Sequence, residues 1–425
     1  MSNQKGWQLA AYLFTRRVLQ PIMPLILSHR LRSGKEDPTR ILEKLGHPTQ
    51  SRPTGRVVWV HAVGLGEVLA VRPLITQMQA AAPDLSFIIT STARSSAIVL
   101  ANNLPERCIH QFLPLDGPTF VRKFLDYWKP DLAIWSEQDL WPGTIHDCAA
   151  RQIPLAYVNA RMNNESHRRK AWFSGLYRDT YARFAIVAAQ DAITACNLRH
   201  MGVPAPILTG SLKPAAAPLA VDQLALTQIH TDLAERKIWV AASTHAADEA
   251  VIFAAQKILQ AQNASWLVII APRLPQRRAE IETAMQNAGL TYATRSKCEQ
   301  PIATQPIWLA DSFGELGLWF RLANSAFIGG SFGGIGGHNP WEAISLARAV
   351  HHGPDTQNFK SDYAQLSDFK LSTLILDTEN CAEDLAQAVQ HASTLDKTAI
   401  AIVKQAQEAL KPLATNLINL IKATK

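Results

Sequence analysis

Ser325-Ala326-Phe327-Ile328-Gly329-Gly330-Ser331-Phe332-Gly333-Gly334-Ile335-Gly336-Gly337-His338-Asn339-Pro340-Trp341-Glu342 is the stretch on which the fold turns. Its first four residues predict a buried strand. Six of the chain's 21 glycines then fall within nine residues, Gly329 to Gly337. The segment from Glu342 to Val350 reads as a helix. Glycine lets backbone approach a ligand closely, and a helix N-terminus points unpaired N–H groups at it. Strand, glycine loop and helix in that order point at an anionic ligand. Tight packing alone is the competing explanation. Asn339 as N-cap, Pro340 at N1 and Glu342 at N3 make a sound helix start with no ligand. So dense a glycine cluster favours binding over plain packing.

The same alternation extends to both sides. Val57-Val58-Trp59-Val60 predicts a strand, followed by Gly64-Leu65-Gly66-Glu67 and a helix from Val68. Phe87 to Thr90, Asp131 to Trp135, Leu155 to Val158 and Ala185 to Ala188 predict further strands. A linker follows at Lys213-Pro214-Ala215-Ala216-Ala217-Pro218-Leu219. A second series begins with Ile238 to Ala242, Trp266 to Ile270 and Ile307 to Leu309. Short apolar strands alternating with helices imply α/β architecture and parallel sheets. Two halves of about 200 residues imply two doubly wound domains with a cleft between them.

Composition fits this reading. The chain has 425 residues, 47% of them hydrophobic and 18% charged, as an ordinary globular protein does. A net charge of +7 favours anionic partners: nucleic acid, acidic lipid or a phosphorylated substrate. The five cysteines form no CxxC pair, so neither zinc nor a disulfide framework is indicated, and a reducing compartment fits best. From Trp7 to Leu31 the chain is rich in apolar residues, but its charge-free run, Val18 to Ser28, is too short to span a bilayer. No small-residue cleavage site follows it. Lys5, Arg16, Arg17, Arg30, Arg32 and Lys35 surround the apolar residues. This pattern predicts a helix lying in the cytoplasmic interface; packing on its own domain is the alternative.

Ligands of doubly wound sheets sit beyond the carboxyl ends of the strands. Several polar residues fall there. Glu67 opens a helix after the first strand, where it also suits the helix dipole. Glu137-Gln138-Asp139-Leu140-Trp141-Pro142 follows another strand, and Ser243-Thr244-His245 another. Arg273 directly follows a strand and suits a phosphate or carboxylate. Lys213 lies at the linker. Each has a plainer explanation as a cap, a turn or a solvated charge. The chain has no GxxxxGK loop, no HExxH and no Asp-x-Asp pair. Strand-end acids with a glycine loop point to sugar-nucleotide chemistry without a bound metal.

Along nearly its whole length the chain resembles the 3-deoxy-D-manno-octulosonic acid (Kdo) transferases of lipopolysaccharide inner-core synthesis. The resemblance rests on Gly34-Lys35-Glu36 with Leu45-Gly46, and on His61-Ala62-Val63 ending in Gly66-Glu67. It continues in Leu113-Pro114-Leu115-Asp116, Glu137 to Pro142, Asn159-Ala160-Arg161 and Gly210-Ser211-Leu212-Lys213. Ala242-Ser243-Thr244-His245, Pro272-Arg273, Gly314-Glu315-Leu316-Gly317, Gly336 to Pro340, Gly353-Pro354 and Asn358-Phe359 complete it. Each motif is weak alone; their order and spacing carry the likeness.

The resemblance implies two Rossmann-like domains facing a cleft, the GT-B glycosyltransferase architecture. The boundaries it implies are a membrane-associated segment at 1–35, an acceptor domain at 36–212 and a CMP-Kdo domain at 213–425. It implies Glu67 as catalytic base, with Glu137 and Lys213 supporting the transition state. It places CMP contacts on Pro272, Arg273, Phe313, Gly314, Glu315, Asn339, Pro340, Trp341 and Glu342. The implied partners are CMP-Kdo, a lipid A precursor and anionic inner-membrane lipid on the cytoplasmic side. No nucleic acid, cofactor or metal is expected. The chain departs from the family pattern at Gly64, Asp139, Gly143, Ser211, Leu274 and Ala343. A non-catalytic glycolipid- or nucleotide-binding relative, or another sugar-nucleotide transferase, stays open.

Overall fold

Apolar runs without alternation belong in parallel sheets, buried on both faces. The computed structural model describes residues 6–92, 97, 104–137, 140–393, 395 and 397–423. Those residues form two seven-stranded sheets, each parallel throughout.

The first sheet contains β1 (Val57–His61), β2 (Ser86–Ser91), β3 (Cys108–Phe112), β4 (Leu132–Ser136), β5 (Leu155–Ala160), β6 (Ile186–Ala189) and β7 (Ile207–Leu208). Its order is β3-β2-β1-β4-β5-β6-β7. The chain winds outward from β1 through β2 to β3, then returns to the other side of β1 as β4. The β1/β4 junction is therefore the switch point, where a ligand crevice forms beyond the strand ends. Val58 and Val60 pack on one face, and Val57 and Trp59 on the other.

The second sheet contains β8 (Lys237–Thr244), β9 (Trp266–Pro272), β10 (Tyr292–Thr294), β11 (Ile307–Leu309), β12 (Ser325–Ile328), β13 (Ala349–His352) and β14 (Ser372–Leu374). Its order, β10-β11-β9-β8-β12-β13-β14, puts the switch between β8 and β12. The segment from Glu342 to Val350 is not a helix. Only the turn Trp341–Ile344 is helical. Ala347 takes a left-handed φ of 57°, and β13 then pairs with β12. Strand pairing beyond a left-handed stop overrides local helix propensity.

The chain divides into two compact units, Met1–Ala216 with Gln405–Lys425, and Ala217–Lys404. This differs from the boundaries expected at residues 35 and 212. Lys213 belongs to the first unit, and so does the end of the last helix, Lys397–Ala423. Leu410, Leu413, Leu417 and Ile421 of that helix complete the core over β1 and β2.

The amino-terminal segment is two helices, α1 (Trp7–Leu19) and α2 (Met23–Arg32), built into the first unit. Gly6 N–H donates to Asp179, and Gln8 accepts from Leu176 N–H, at 2.7 and 2.8 Å. Arg16 does not face lipid. It is buried, and pairs with Asp116 at 2.9 Å and Asp147 at 2.6 Å. Tyr12 donates to Asp116 at 2.7 Å and Thr144 donates to it at 2.7 Å. Burial pushes the Asp116 carboxyl up in pKa; Arg16 and the two hydroxyls pull it back.

Gly143 is explained by this cluster. A Cβ there would strike Arg16 Nη1 and Asp116 Oδ2. The glycine makes room for the arginine that docks α1. Gly143→Ala should therefore displace Arg16 and destabilise the protein by about 3 kcal/mol, the scale of a broken buried ion pair. Urea denaturation reads this. A gain in stability, as for an ordinary helical Gly→Ala change, would mean that Arg16 moves without cost.

Candidate active site

In the first unit the acids gather at the switch point. The helix α3 (Leu65–Ala81) follows β1, with Gly64 as N-cap. Glu67 is its third residue, and its Oε2 accepts Val63 N–H at 2.8 Å. The helix start thus uses one carboxylate oxygen and fixes the side chain. Glu137 directly follows β4 in a left-handed conformation, φ 58°. That conformation costs a non-glycine residue of order 1 kcal/mol, and such strain gathers at functional sites. The Glu137 carboxylate is buried. It accepts Asn159 Nδ2 at 3.1 Å and lies 3.7 Å from Lys213 Nζ. Gln138 and Asp139 lie outside the described residues.

Asn159, at the end of β5, organises the group. It too is left-handed, φ 50°. Its Nδ2 holds Glu137, and its Oδ1 accepts Leu212 N–H at 3.1 Å, which sets the chain just before Lys213. The Ser211 hydroxyl accepts Lys213 N–H at 3.2 Å. The Tyr157 hydroxyl donates to the Glu137 carbonyl. Burial raises the Tyr157 pKa, and the charges of Glu137 and Glu67 raise it further. Glu67, Glu137 and Lys213 thus share one neighbourhood. Asn159 lay within a quoted motif, but no sequence signal gave it this role.

In the second unit, Pro272 ends β9, and Arg273 follows, its N–H donating to Thr244 carbonyl at 3.1 Å. The Arg273 guanidinium makes no hydrogen bond or ion pair among the described residues. Its charge reaches His338 and Glu342. Burial raises the Glu342 pKa, while the Asn339 hydrogen bond and Arg273 lower it. Asn339 Nδ2 donates to Glu342 at 3.3 Å, and Asn339 Oδ1 accepts Trp341 N–H at 3.2 Å. Pro340, not Asn339, is the N-cap.

His338 lies 3.0 Å from His245, Nε2 to Nε2. The His245 side chain also accepts the Asp248 N–H in a capping box. That bond can only use Nδ1, since Nε2 faces His338. With Nδ1 accepting, His245 can donate to His338 only through an Nε2–H. Burial and Arg273 push His338 down to about 4.

Two of the expected nucleotide contacts engage their side chains within the protein. Trp341 is buried, its indole N–H donating to Asp362 at 2.7 Å, so its ring serves the core. The Glu315 carboxylate pairs with Arg295 at 2.8 Å. Phe313 is 66% exposed, before Gly314 in a left-handed turn, φ 88°. The glycine loop already grips an anion of the protein's own. Asp248 accepts N–H groups from Gly330 at 2.7 Å, Phe332 at 3.1 Å, Ser331 at 3.2 Å and His245 at 2.9 Å. The start of the loop is therefore a structural nest for a carboxylate. No group of three or more His, Cys, Asp or Glu among the described residues could hold a metal ion.

Two doubly wound units are the GT-B glycosyltransferase architecture. The UDP-GlcNAc 2-epimerase from Neisseria meningitidis, solved with UDP-GlcNAc, shares the fold: TM-score 0.55, 13% identity, 87% of this chain and 100% of that one. A family model described as 3-deoxy-D-manno-octulosonic-acid transferase matches residues 39–216. The chain is 34% identical to the 3-deoxy-D-manno-octulosonic acid transferase of Rickettsia bellii over 81% of its length and 82% of that protein's. It is 30% identical to the protein of that name in Haemophilus influenzae, over 83% and 82%. The chain belongs to the 3-deoxy-D-manno-octulosonic acid transferase family.

Proposed function

We propose that this chain is an inverting glycosyltransferase that moves Kdo from CMP-Kdo to a lipid A precursor. Its family membership supports the reaction. The buried Glu137–Asn159–Lys213 group beside Glu67 is the observation that carries the mechanism. Glu67 takes the proton of the acceptor hydroxyl. The hydroxyl oxygen bonds to the anomeric carbon as the bond to the CMP phosphate breaks, and CMP leaves with the electron pair. Lys213, poised by Glu137, offers positive charge to that step. In the second unit Arg273 holds the CMP phosphate. Pro272, Phe313 to Glu315 and Asn339 to Glu342 surround the nucleotide, with Trp341 and Glu315 contributing backbone alone.

The direct test mixes purified protein, freshly made CMP-Kdo and a lipid A precursor. CMP release with a glycosylated lipid is expected. Tight nucleotide binding without release would favour a non-catalytic binder. Arg273→Ala should weaken CMP binding by about 1.5–3 kcal/mol, the range for a hydrogen bond to a charged group. Calorimetry in EDTA reads it. CMP binding only after a divalent ion is added would overturn the metal-free scheme.

The protein works on the cytoplasmic leaflet of the inner membrane, held by α1 and α2. No helix among the described residues is long and apolar enough to cross a membrane. Trp7, Phe14, Val18, Ile22, Leu25 and Ile26 are exposed along α1 and α2, and so are Arg17, Arg32 and Lys35. Trp172 and Phe173, 84% and 59% exposed, precede the helix Ser174–Tyr181 that docks α1. Sequence reading missed this pair. Apolar residues among cations suit an anionic interface. Trp172→Ser with Phe173→Ser should halve, or more than halve, sedimentation with phosphatidylglycerol vesicles. Unchanged sedimentation would leave the helices as sole anchor.

A further inference from the structure

The first unit contains a cavity of about 590 Å³ between the pair α1–α2 and the loops that follow β2 and β3. Its size is that of a small-molecule pocket. Leu19, Met23, Ile26, Leu115 and Trp141 supply apolar wall. The charged groups in it are spent on one another. Glu36 is held by Arg30 at 2.6 Å and Lys44 at 2.5 Å, and Lys44 donates to the Thr92 carbonyl at 3.0 Å. Such a lining takes hydrocarbon.

Two features say where the hydrocarbon comes from. Leu19 and Ile26 of the wall are themselves 46% and 57% exposed, beside exposed Val18, Ile22 and Leu25. The cavity is thus continuous with the apolar face of α1 and α2, which carries exposed Arg17 and Arg32 for an anionic headgroup. The far wall lies at the catalytic end of the sheet. Thr92 follows β2, the neighbour of β1 in the sheet, and Trp141 stands four positions after Glu137 in the sequence.

We propose that this cavity seats one acyl chain of the acceptor glycolipid, so that the acceptor is chosen by its lipid part as well as its sugar. The proposal rests on the transferase reading for the identity of the acceptor. Seating one chain draws the acceptor partly out of the bilayer and brings its sugar to the strand ends where Glu67 stands.

Two measurements on the full-length protein test it. The first is binding of dansyl-undecanoic acid, displaced by free fatty acids. Saturable, blue-shifted emission is expected. Displacement should strengthen by up to about fourfold per added methylene from octanoate to myristate. Met23→Trp and Leu19→Trp fill the cavity, and each should weaken this binding at least tenfold with the melting temperature little changed. The second is the ratio of kcat/KM for an acylated acceptor to that for its de-acylated sugar. The same variants should lower this ratio at least tenfold, while the KM for CMP-Kdo stays within about twofold. Binding of the dansyl acid that neither variant weakens would overturn the cavity as an acyl site. Weakened binding with an unchanged ratio would overturn the acceptor as its source and leave a bilayer lipid there. Wild-type protein inactive on every acceptor sinks the transferase reading alone, since dansyl acid binding reads the cavity without turnover.

Discussion

Glu67→Gln should lower Kdo transfer by about 100-fold or more and leave CMP binding intact. A placed base contributes on that scale, and an amide cannot accept the acceptor's proton. The geometry makes the substitution a clean one. Glu67 Oε2 accepts Val63 N–H, and the glutamine carbonyl oxygen can do the same. The start of α3 is then preserved, and lost activity is not lost fold. Single-turnover transfer, with calorimetry of CMP alongside, separates the two. A variant as active as the wild type would remove Glu67 from the chemistry.

The largest stability effect is expected at Asp248→Ala. Its carboxylate receives four backbone N–H groups, one from the turn at His245 and three from the glycine loop. Removing it leaves buried donors without an acceptor, each costing about 1–3 kcal/mol where water cannot replace it. A loss of about 4 kcal/mol or more is expected in urea denaturation. CMP affinity should fall too, because the loop that precedes His338 and Asn339 loses its shape. Asp248→Asn, which keeps one acceptor oxygen, should lie between. If Asp248→Ala were as stable as the parent, the loop would be held by its own glycine conformations.

The sheets were legible where strands are central. Val57 to Val60 and Ile238 to Ala242 are buried on both faces, so their apolar runs are uninterrupted. The edge strands were not. Cys108–Phe112 breaks its apolar run with His110 and Gln111, and Ile207–Leu208 is two residues long. Of the proposed site residues, Glu137 and Lys213 meet, although 76 positions of sequence separate them. Asn159, which joins them, acts through side-chain geometry that no motif encodes. Trp341 stood within a binding motif and serves the core, because a motif does not say whether a residue contributes its ring or its backbone. Asp248 has the capping-box spacing from His245, a signal present but unread. Its grip on a loop some eighty residues away has no local signature at all.

The return of Gln405–Lys425 to the first unit bears on how the chain is made. The second unit, Ala217–Lys404, is a continuous stretch and has all its residues as soon as its last strand and helices leave the ribosome. The first unit, although synthesised earlier, cannot close the core over β1 and β2 until Leu410, Leu413 and Leu417 arrive. The part of the chain born first is thus the part finished last. Until then its apolar surface stays open to chaperones and to other chains, the circumstance in which multidomain proteins misassemble.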